Sequence, residues 1–397
     1  MVKAVRKQKI KTKTKIKSKP KIKAKTKVKA KAKTKKKIIK KIIVKRKIKK
    51  VVTKKRKILK KEEQLTKLKK HSNNPIIKPS YYQWESKATF NPSAFEANGK
   101  VYILYRAVGD NDLSVLGYAS SYDGLNIEDR PTYAVYQRKN EIENFGLSID
   151  YISGGGGNGG CEDPRLTRIG DTIYMLYTAF DGWSSVRIAL TSIKLDDFKK
   201  KKWNWEKPIL LSPPGEIQKS WVLFPEKING KFAILHSISP QILIDYIDDW
   251  NDFRNNKFIE SISHEDRERN VLETGIRGVG PSPIKTKLGW LVLYHAIEKN
   301  DPGRYKLFAL VLDYKNPKNV IYRSAYPILE PEKAYENEGL KWGVIYSCGA
   351  VVKDGTLFVY YGGSDQFVCV ASIELDKLLD SLKREKKVTL KNNKILK

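Results

Sequence analysis

From about Tyr81 onwards, short apolar runs alternate with clusters of turn-forming residues. Within the runs, apolar and polar residues alternate with a period of two, which is typical of β-strands. Five stretches follow one plan, in which a first strand, a turn containing glycine and a second strand ending in polar residues succeed each other. These stretches are 91–106, 160–182, 224–236, 280–295 and 347–365. The pattern predicts five β-hairpins.

The turn glycines of the five hairpins recur at similar intervals. They are Gly99, Gly170, Gly230, Gly289 and Gly355, at intervals of 71, 60, 59 and 66 residues. Each interval holds about four strands of ordinary length with their turns, the size of one propeller blade. Further strands fit between the hairpins at 186–193 and 307–313, and a last run at 367–373 closes the ring. We therefore predict an all-β fold, a five-bladed β-propeller over residues 71–397, with a short charged helix or frayed end after Leu375.

The net charge of +35 comes almost entirely from residues 1–70. This segment holds 35 of the 78 Lys and Arg residues but only 2 of the 43 acidic residues, and it contains no aromatic residue. Such a segment cannot bury enough apolar surface to offset the entropy of ordering. We predict a disordered basic tail that binds a polyanion, either nucleic acid or an acidic membrane surface, non-specifically through counterion release.

Cysteine usage and hydropathy limit the remaining possibilities. The three cysteines (Cys161, Cys348 and Cys369) are too few and too scattered for a disulfide framework or a cysteine-based zinc site. No His, Asp and Glu cluster has metal-binding spacing. The sequence has neither a secretory signal nor an apolar stretch long enough to span a membrane. We expect a soluble, cytoplasmic protein that binds no metal.

Each predicted hairpin returns the chain to the end at which it began. The residues before the first strands and after the second strands therefore lie on one rim. This geometry collects Asn91, Arg106, Glu162, Asp163, Arg165, Asp181, Lys219, His236, Ser282, His295 and Asp365 around one mouth of the ring. Converging charged and polar side chains at one opening are typical of a sugar or phosphate site.

Several ordered motifs resemble glycoside hydrolase family 130. The motifs are Glu162-Asp163-Pro164-Arg165, Tyr177-Thr178-Ala179-Phe180-Asp181-Gly182, Leu223-Phe224-Pro225-Glu226-Lys227-Ile228 and Tyr361-Gly362-Gly363-Ser364-Asp365. The resemblance runs from about Pro75 to Leu379. It implies a five-bladed propeller that acts on β-mannosides. Most members of the family act on them by inverting phosphorolysis. It also implies inorganic phosphate as co-substrate, mannose 1-phosphate as product, and no cofactor.

The resemblance further implies roles for individual residues. Asp163 is expected to be the general acid, acting through a hydroxyl of the bound mannose. The expected mannosyl contacts are Asn91, Arg106 and Asp365, with Glu162 and Asp181 as further substrate-binding candidates on the same rim. The expected phosphate contacts are Arg187, Lys219 and His236. The chain departs from the family at Ser220, where Asp is common after Lys, and at Ser237, where Arg often follows His.

The residues alone leave three functions open. One acid beside several basic residues favours phosphorolysis, because phosphate is already an anion and needs no general base. An inverting β-mannosidase would instead use Glu162, Glu226 or Asp181 as its base. A non-catalytic glycan-binding propeller, tethered through the tail, is the third hypothesis. Trp183, Trp221 and Trp342 are candidate sugar-stacking residues, whereas His295 and Cys161 are more typical of packing positions.

Overall fold

The computed structural model describes residues 67–137, 159–182, 186–255, 257–262 and 274–384, together with positions 45, 53, 390–391 and 394–395. The chain divides into two units, Met1–Lys61 and Glu62–Lys397. Nearly all of the first unit lies outside the described residues, and so does the disorder that we predict for it. None of the helices in the described part is long and apolar enough to cross a membrane.

The second unit is all-β, as predicted. Its described strands are β1 (Lys69–Lys70), β2 (Ala88–Ala97), β3 (Lys100–Val108), β4 (Ser114–Ser121), β5 (Gly160–Ile169), β6 (Thr172–Phe180), β7 (Val186–Lys194), β8 (Ile209–Leu210), β9 (Val222–Leu223), β10 (Phe232–Ser237), β11 (Leu243–Ile247), β12 (Thr274–Val279), β13 (Ile284–Thr286), β14 (Gly289–Glu298), β15 (Lys306–Leu312), β16 (Val320–Arg323), β17 (Ile345–Lys353), β18 (Thr356–Gly363), β19 (Phe367–Glu374), β20 (Leu390–Lys391) and β21 (Lys394–Ile395).

Helical segments are short. The described α-helices are α1 (Leu195–Lys199), α2 (Ala334–Asn337) and α3 (Leu375–Arg384), and 3₁₀ turns occupy Gln83–Glu85 and Trp250–Asn255. The charged helix expected after Leu375 is therefore present as α3, which buries Leu378, Leu379 and Leu382 and carries two basic residues in its last turn. Cations at that end complement the helix dipole.

The predicted hairpins are present, most clearly the first, second and fifth. In the pairs β2–β3 and β17–β18 the strands are joined by Asn98-Gly99 and Asp354-Gly355, and all four of these residues have positive φ. Positive φ at both central residues is the type I′ geometry that matches the twist of the flanking strands. The third hairpin is partial, because β9 is only two residues long and a single bridge between Ile228 and Lys231 closes its turn.

Antiparallel pairing groups strands β1 to β19 into five sets: β2–β4, β5–β8, β9–β11, β12–β16, and β17–β19 with β1; β20 and β21 form a separate pair. The first two sets belong to one seven-stranded sheet, and their strands pair with each other where β4 and β5 run parallel at Ser114 and Gly160. A β-carbon at position 160 would lie 2.2 Å from the Ser114 carbonyl oxygen, so only glycine permits this approach. The first and last strands of these five sets, β1 and β19, pair with each other.

The folded unit begins earlier than our boundary at residue 70. Lys69 and Lys70 pair with Ser372 and Ala371, and Leu68 is buried in the core. The Lys70 ammonium lies 2.6 Å from the buried carboxylate of Glu336. Residues 67–70 are therefore not part of a disordered tail, because their backbone and side chains complete the last sheet.

The core lies between neighbouring sheets. Strands such as β14 and β15 are buried on both faces along most of their length. One core cluster packs Leu307 and Ala309 of β15 with Val359 and Tyr361 of β18. Central strands that carry a sheet on either side lose the exposed face that a period-two pattern predicts.

Candidate active site

Asn91 and Asp163 occupy corresponding places in the first strands of two hairpins. The strand register shifts between Phe90 and Ser93 in β2 and between Glu162 and Arg165 in β5. Both residues have positive φ, 47° and 51°, a region that Asn and Asp adopt more readily than most side chains. Both precede proline, which cannot donate a hydrogen bond to the strand ladder. The bulges bring the two side chains together, and Nδ2 of Asn91 donates to Oδ1 of Asp163 at 2.8 Å.

Arg106 of β3 orients two carboxylates at once. Its guanidinium is almost completely buried, with Nη2 2.7 Å from Oε1 of Glu162 and Nη1 3.4 Å from Oδ1 of Asp163. Its Nε donates to Oγ of Ser114 at 2.9 Å, and the ring of Phe90 lies 4.8 Å from the guanidinium carbon. A planar guanidinium held on several sides fixes the direction of the acids more strictly than a lysine could.

At Asp163, nearby positive charges and a hydrogen bond lower the pKa more than burial raises it. Burial alone would raise its pKa, but the charges of Arg106 and Lys219 and the hydrogen bond from Asn91 hold the pKa below its usual range. Lys219 is half-buried, and its Nζ lies 3.5 Å from Oε2 of Glu162. Asp163 is therefore a carboxylate at neutral pH in the unliganded protein.

Asp365 has the opposite tendency. It lies just after β18, is buried, and has a φ of 52°. Burial raises its pKa to about 6, and the nearby charges of Asp163 and Glu162 add to this effect, whereas Lys341 and Arg106 oppose it. Two buried acids of one site thus differ in proton affinity, a common property of catalytic centres. Gly362 of β18 leaves space for Asn91, since a β-carbon there would lie 2.4 Å from Oδ1 of Asn91.

A second arginine supports the wall of the site. Arg165 donates to the carbonyl oxygens of Val279 and Gly280 and, at 3.1 Å, to the hydroxyl of Tyr346. That hydroxyl also lies 2.9 Å from Oγ of Ser220. Arg165 therefore joins three chain segments and acts on Asp163 through its charge.

His295 is a packing residue, as expected for a histidine that closes an apolar strand. Its ring is stacked on Tyr346, with centroids 4.1 Å apart, and its Nε2 accepts a hydrogen bond from the Ser347 backbone. Burial lowers the pKa of His295 to about 3, so it is neutral at physiological pH.

Arg187 and His236 form a neighbouring group around the segment 257–262. Arg187 donates to the Ser212 carbonyl oxygen and lies over the ring of Phe258, and burial lowers its pKa to about 10. Nδ1 of His236 lies 2.8 Å from Oγ of Ser261, and its Nε2 lies 3.3 Å from Asp245. Lys219 and Trp221, which are separated by one residue, link the two groups, because Lys219 contacts Glu162 and Trp221 packs on the His236 ring.

Other candidates are placed as follows. Asp181 is buried directly after β6, at the end of the hairpin that carries Glu162 and Asp163. Glu226 forms an ion pair with Lys285 on the surface. Its carboxylate is too exposed to solvent to be the buried base of a hydrolase. Ser282 contacts Thr167 and has a structural role. Trp221 is buried, Trp342 is exposed, and Trp183 lies outside the described residues, as does most of the glycine-rich stretch that begins at Gly154.

Three residues that act on the charged groups of the site are not identified by any pattern in the sequence. Ser114 hydrogen-bonds to Arg106 and Tyr346 to Arg165. The charge of Lys341 opposes the rise in the pKa of Asp365. Ser114 lies in β4, outside the hairpin rims, and Tyr346 and Lys341 precede the fifth motif. Only the register of the strands brings them to the acids.

Comparison with known proteins agrees with these motifs. The family model described as β-1,4-mannooligosaccharide phosphorylase matches residues 54–384. A 1,2-β-oligomannan phosphorylase of Thermoanaerobacter sp. (strain X514) is 38% identical over 325 residues, covering 78% of this chain and 98% of the relative. A β-1,2-mannobiose phosphorylase of the same organism is 35% identical and covers 79% of this chain and 99% of its own length.

A solved structure shares the fold. The β-1,2-mannobiose phosphorylase of Listeria innocua, in complex with β-1,2-mannobiose, aligns with a TM-score of 0.58 at 24% identity, over 80% of this chain and 99% of that one. The family match covers most of the chain, and the relatives align almost from end to end. This chain therefore belongs to glycoside hydrolase family 130 and is an enzyme of that family.

Proposed function

We propose that this enzyme is an inverting β-mannoside phosphorylase, which transfers a mannosyl unit from a β-mannoside to inorganic phosphate. The observation that carries the proposal is the charge balance at Asp163, whose carboxylate is surrounded by Asn91, Arg106 and Lys219. A hydrolase needs its general acid protonated before water attacks. A site that keeps this acid ionised until an anion enters is better suited to phosphate than to water as the nucleophile.

Phosphate binding would let Asp163 take up a proton from solvent. An anion beside Lys219 offsets the positive charge that lowers the Asp163 pKa, so the carboxyl gains a proton as phosphate binds. Hydrogen phosphate then attacks the anomeric carbon, forming a bond to phosphate oxygen while the bond to the glycosidic oxygen breaks. The departing oxygen takes a proton from Asp163 through a sugar hydroxyl, and the proton of hydrogen phosphate restores the acid. Inversion gives α-mannose 1-phosphate.

The sugar and phosphate would lie on either side of Asp163. Asn91 has a buried Oδ1 with no hydrogen-bond partner among the described residues, which suits a mannose hydroxyl as donor. Arg106 and Asp365 complete the mannosyl contacts, with Glu162 and Asp181 supporting them. Lys219, Arg187 and His236 hold phosphate, which enters where the segment 219–221 joins the two groups. The reaction needs no cofactor.

The five antiparallel sets favour a five-bladed propeller as the scaffold. In such a ring, β1 would close the last blade by pairing with β19, so that the two ends of the folded unit share one sheet. The first strands of two successive blades would then present Asn91 and Asp163 to the central opening. We further infer β-1,2-linked mannosides as the first substrate class to test, because the two relatives above act on β-1,2-linked substrates by name.

One observation favours a hydrolytic alternative. Asp365 is buried near Asp163 and, with a pKa of about 6, is largely ionised at pH 7, so it is available as a general base for water. An inverting β-mannosidase would use Asp163 as acid and Asp365 as base.

Product analysis separates the two reactions. β-1,2-mannobiose and β-1,4-mannobiose are incubated with and without inorganic phosphate, using the wild type, Asp163→Asn and the control Asp171→Asn at an exposed turn. We expect mannose 1-phosphate only with phosphate, from the wild type and the control, and a loss of about 10²- to 10⁴-fold in Asp163→Asn. Free mannose formed without phosphate would establish the hydrolase instead.

A further inference from the structure

A second concave site shares no residue with the Asp163 cluster. We call it the Trp84 groove, after one of the residues that line it; its volume is about 510 Å³. Aromatic rings form most of its wall, and no described residue that lines it is charged. The residues used below are Trp84, Tyr133, Tyr136, Gln137, Trp203 and Trp205.

The rings of the groove are fixed by their neighbours. Nε1 of Trp84 donates to the Thr132 carbonyl oxygen at 2.9 Å, and its ring is stacked near Tyr105. The hydroxyl of Tyr136 lies 3.0 Å from that of Tyr177, and Trp205 packs edge-on against Tyr136 at 5.5 Å. A wall that is ordered without a ligand loses little entropy when a ligand binds.

Two donors in this wall have no hydrogen-bond partner among the residues that the structure describes. Nε1 of Trp203 and Nε1 of Trp205 are buried, and neither forms a hydrogen bond within the described part of the chain. Buried indole N–H groups normally find an acceptor, so this pair suits a ligand that carries hydroxyl oxygens. Tyr133 is half exposed at the edge of the groove and presents a ring to solvent.

The lack of charged residues in the described lining limits the class of ligand that the groove can bind. Phosphate, nucleic acid and acidic peptides need cationic partners, and the described lining supplies none. A sugar has apolar C–H faces that stack on aromatic rings and hydroxyls that accept from indole N–H groups and from the amide of Gln137. We propose that the Trp84 groove is a second saccharide site, which binds a neutral β-linked mannan chain outside the active site.

The choice of mannan rests on the proposed function. A chain held in the groove keeps its free end close to the enzyme, which raises the effective concentration of long substrates without changing the chemical step. Disaccharides are too short to benefit from this effect.

The inference is tested by affinity electrophoresis of the full-length protein in gels containing soluble β-1,2-mannan or β-1,4-mannan, with dextran as control polymer. Tyr133→Ala removes the exposed ring, and Trp203→Phe keeps a ring but removes the N–H donor. Tyr122→Ala, at an exposed tyrosine outside the groove, is the matched control. Each groove variant is expected to weaken retardation by mannan about three- to tenfold. For long β-mannans KM should rise, whereas kcat/KM for mannobiose should stay within twofold of the wild type.

Asp163→Asn should be retarded like the wild type, because Asp163 does not line the groove. Retardation by mannan without phosphorolysis would overturn the proposed function and leave the groove intact. Wild-type migration that mannan does not change, or equal retardation of the groove variants and Tyr122→Ala, would overturn the groove proposal. A change in sedimentation of the groove variants with unchanged retardation would also overturn it, since the groove would then be an interface between copies of the chain.

Discussion

Asn91 and Asp163 are 72 residues apart in the chain, yet their side chains share a hydrogen bond of 2.8 Å. Each follows the same local plan, a bulged first strand with a left-handed residue before proline. The repeat therefore builds the site, because two equivalent positions of two hairpins converge on one point. The amide keeps one carboxylate oxygen occupied and leaves the other oxygen for chemistry.

Replacing this amide by a second acid should disable the site without unfolding it. In Asn91→Asp, a like charge faces Asp163, so the pKa of the pair rises and one carboxyl stays protonated. We expect kcat/KM to fall about 10²-fold or more, with the alkaline limb of its pH profile shifted to higher pH. Asn98→Asp, a turn residue that tolerates the same change, should behave as the wild type. A pH profile identical to that of the wild type would show that Asn91 does not tune Asp163.

Arg106→Lys should keep the positive charge but lose the planar guanidinium that contacts two carboxylates. Lysine cannot contact Glu162, Asp163 and Ser114 together, so one buried carboxylate loses its hydrogen bond. We expect a fall in Tm of several degrees and a loss of activity of at least tenfold. Calorimetry and phosphorolysis assays measure the two effects. Arg168→Lys, on the exposed end of β5, is the matched control, and equal effects of both variants would contradict the assigned role.

Asp365→Asn should stabilise the protein at neutral pH. The pKa of Asp365 is raised to about 6, so between pH of about 4 and 6 the folded state binds more protons than the unfolded state. Stability contributed by this residue therefore falls as pH rises through that window and stays low above it. The Tm gain of the variant should be absent near pH 4, grow to pH 6 and remain constant to pH 8, while activity is lost. A gain that is independent of pH would contradict the raised pKa.

Lys219→Gln should affect phosphate more than the sugar. The half-buried ammonium supplies positive charge beside Glu162, and its removal weakens anion binding in a site of low dielectric. We expect KM for phosphate to rise tenfold or more and KM for mannobiose to change less than threefold. Lys207→Gln, an exposed lysine, is the control. Equal increases in both KM values would indicate a general loss of structure instead.

The boundary of the basic tail can be tested by two truncations. Removing residues 1–61 leaves Leu68 and the pairing of Lys69 and Lys70 with β19, so Tm and turnover should match those of the full chain. Removing residues 1–70 also deletes the Lys70–Glu336 ion pair and should lower Tm by several degrees.

Both truncated proteins should lose retention on a heparin column at low salt, because the charge excess lies before residue 62. Retention that survives the shorter truncation would refute the polyanion-binding tail.

Local patterns determined much of this protein. Turn pairs such as Asn98-Gly99 and Asp354-Gly355 identify hairpins because few other residues adopt positive φ at both positions. The clustering of charge before residue 62 follows from composition alone. Several ordered motifs, taken together, were enough to identify the family, and hairpin geometry alone assigned Asn91, Arg106 and Asp163 to one rim.

Only the tertiary structure decided how the acids are charged and what surrounds them. The pKa values of Asp163 and Asp365 move in opposite directions because one faces Arg106 and Asn91 whereas the other is dominated by burial. The placement of Ser114 and Tyr346 beside the two arginines depends on strand register between distant segments, and the pairing of β1 with β19 joins residues about 300 positions apart. Such contacts depend on three-dimensional distance and desolvation, neither of which a local pattern of residues encodes.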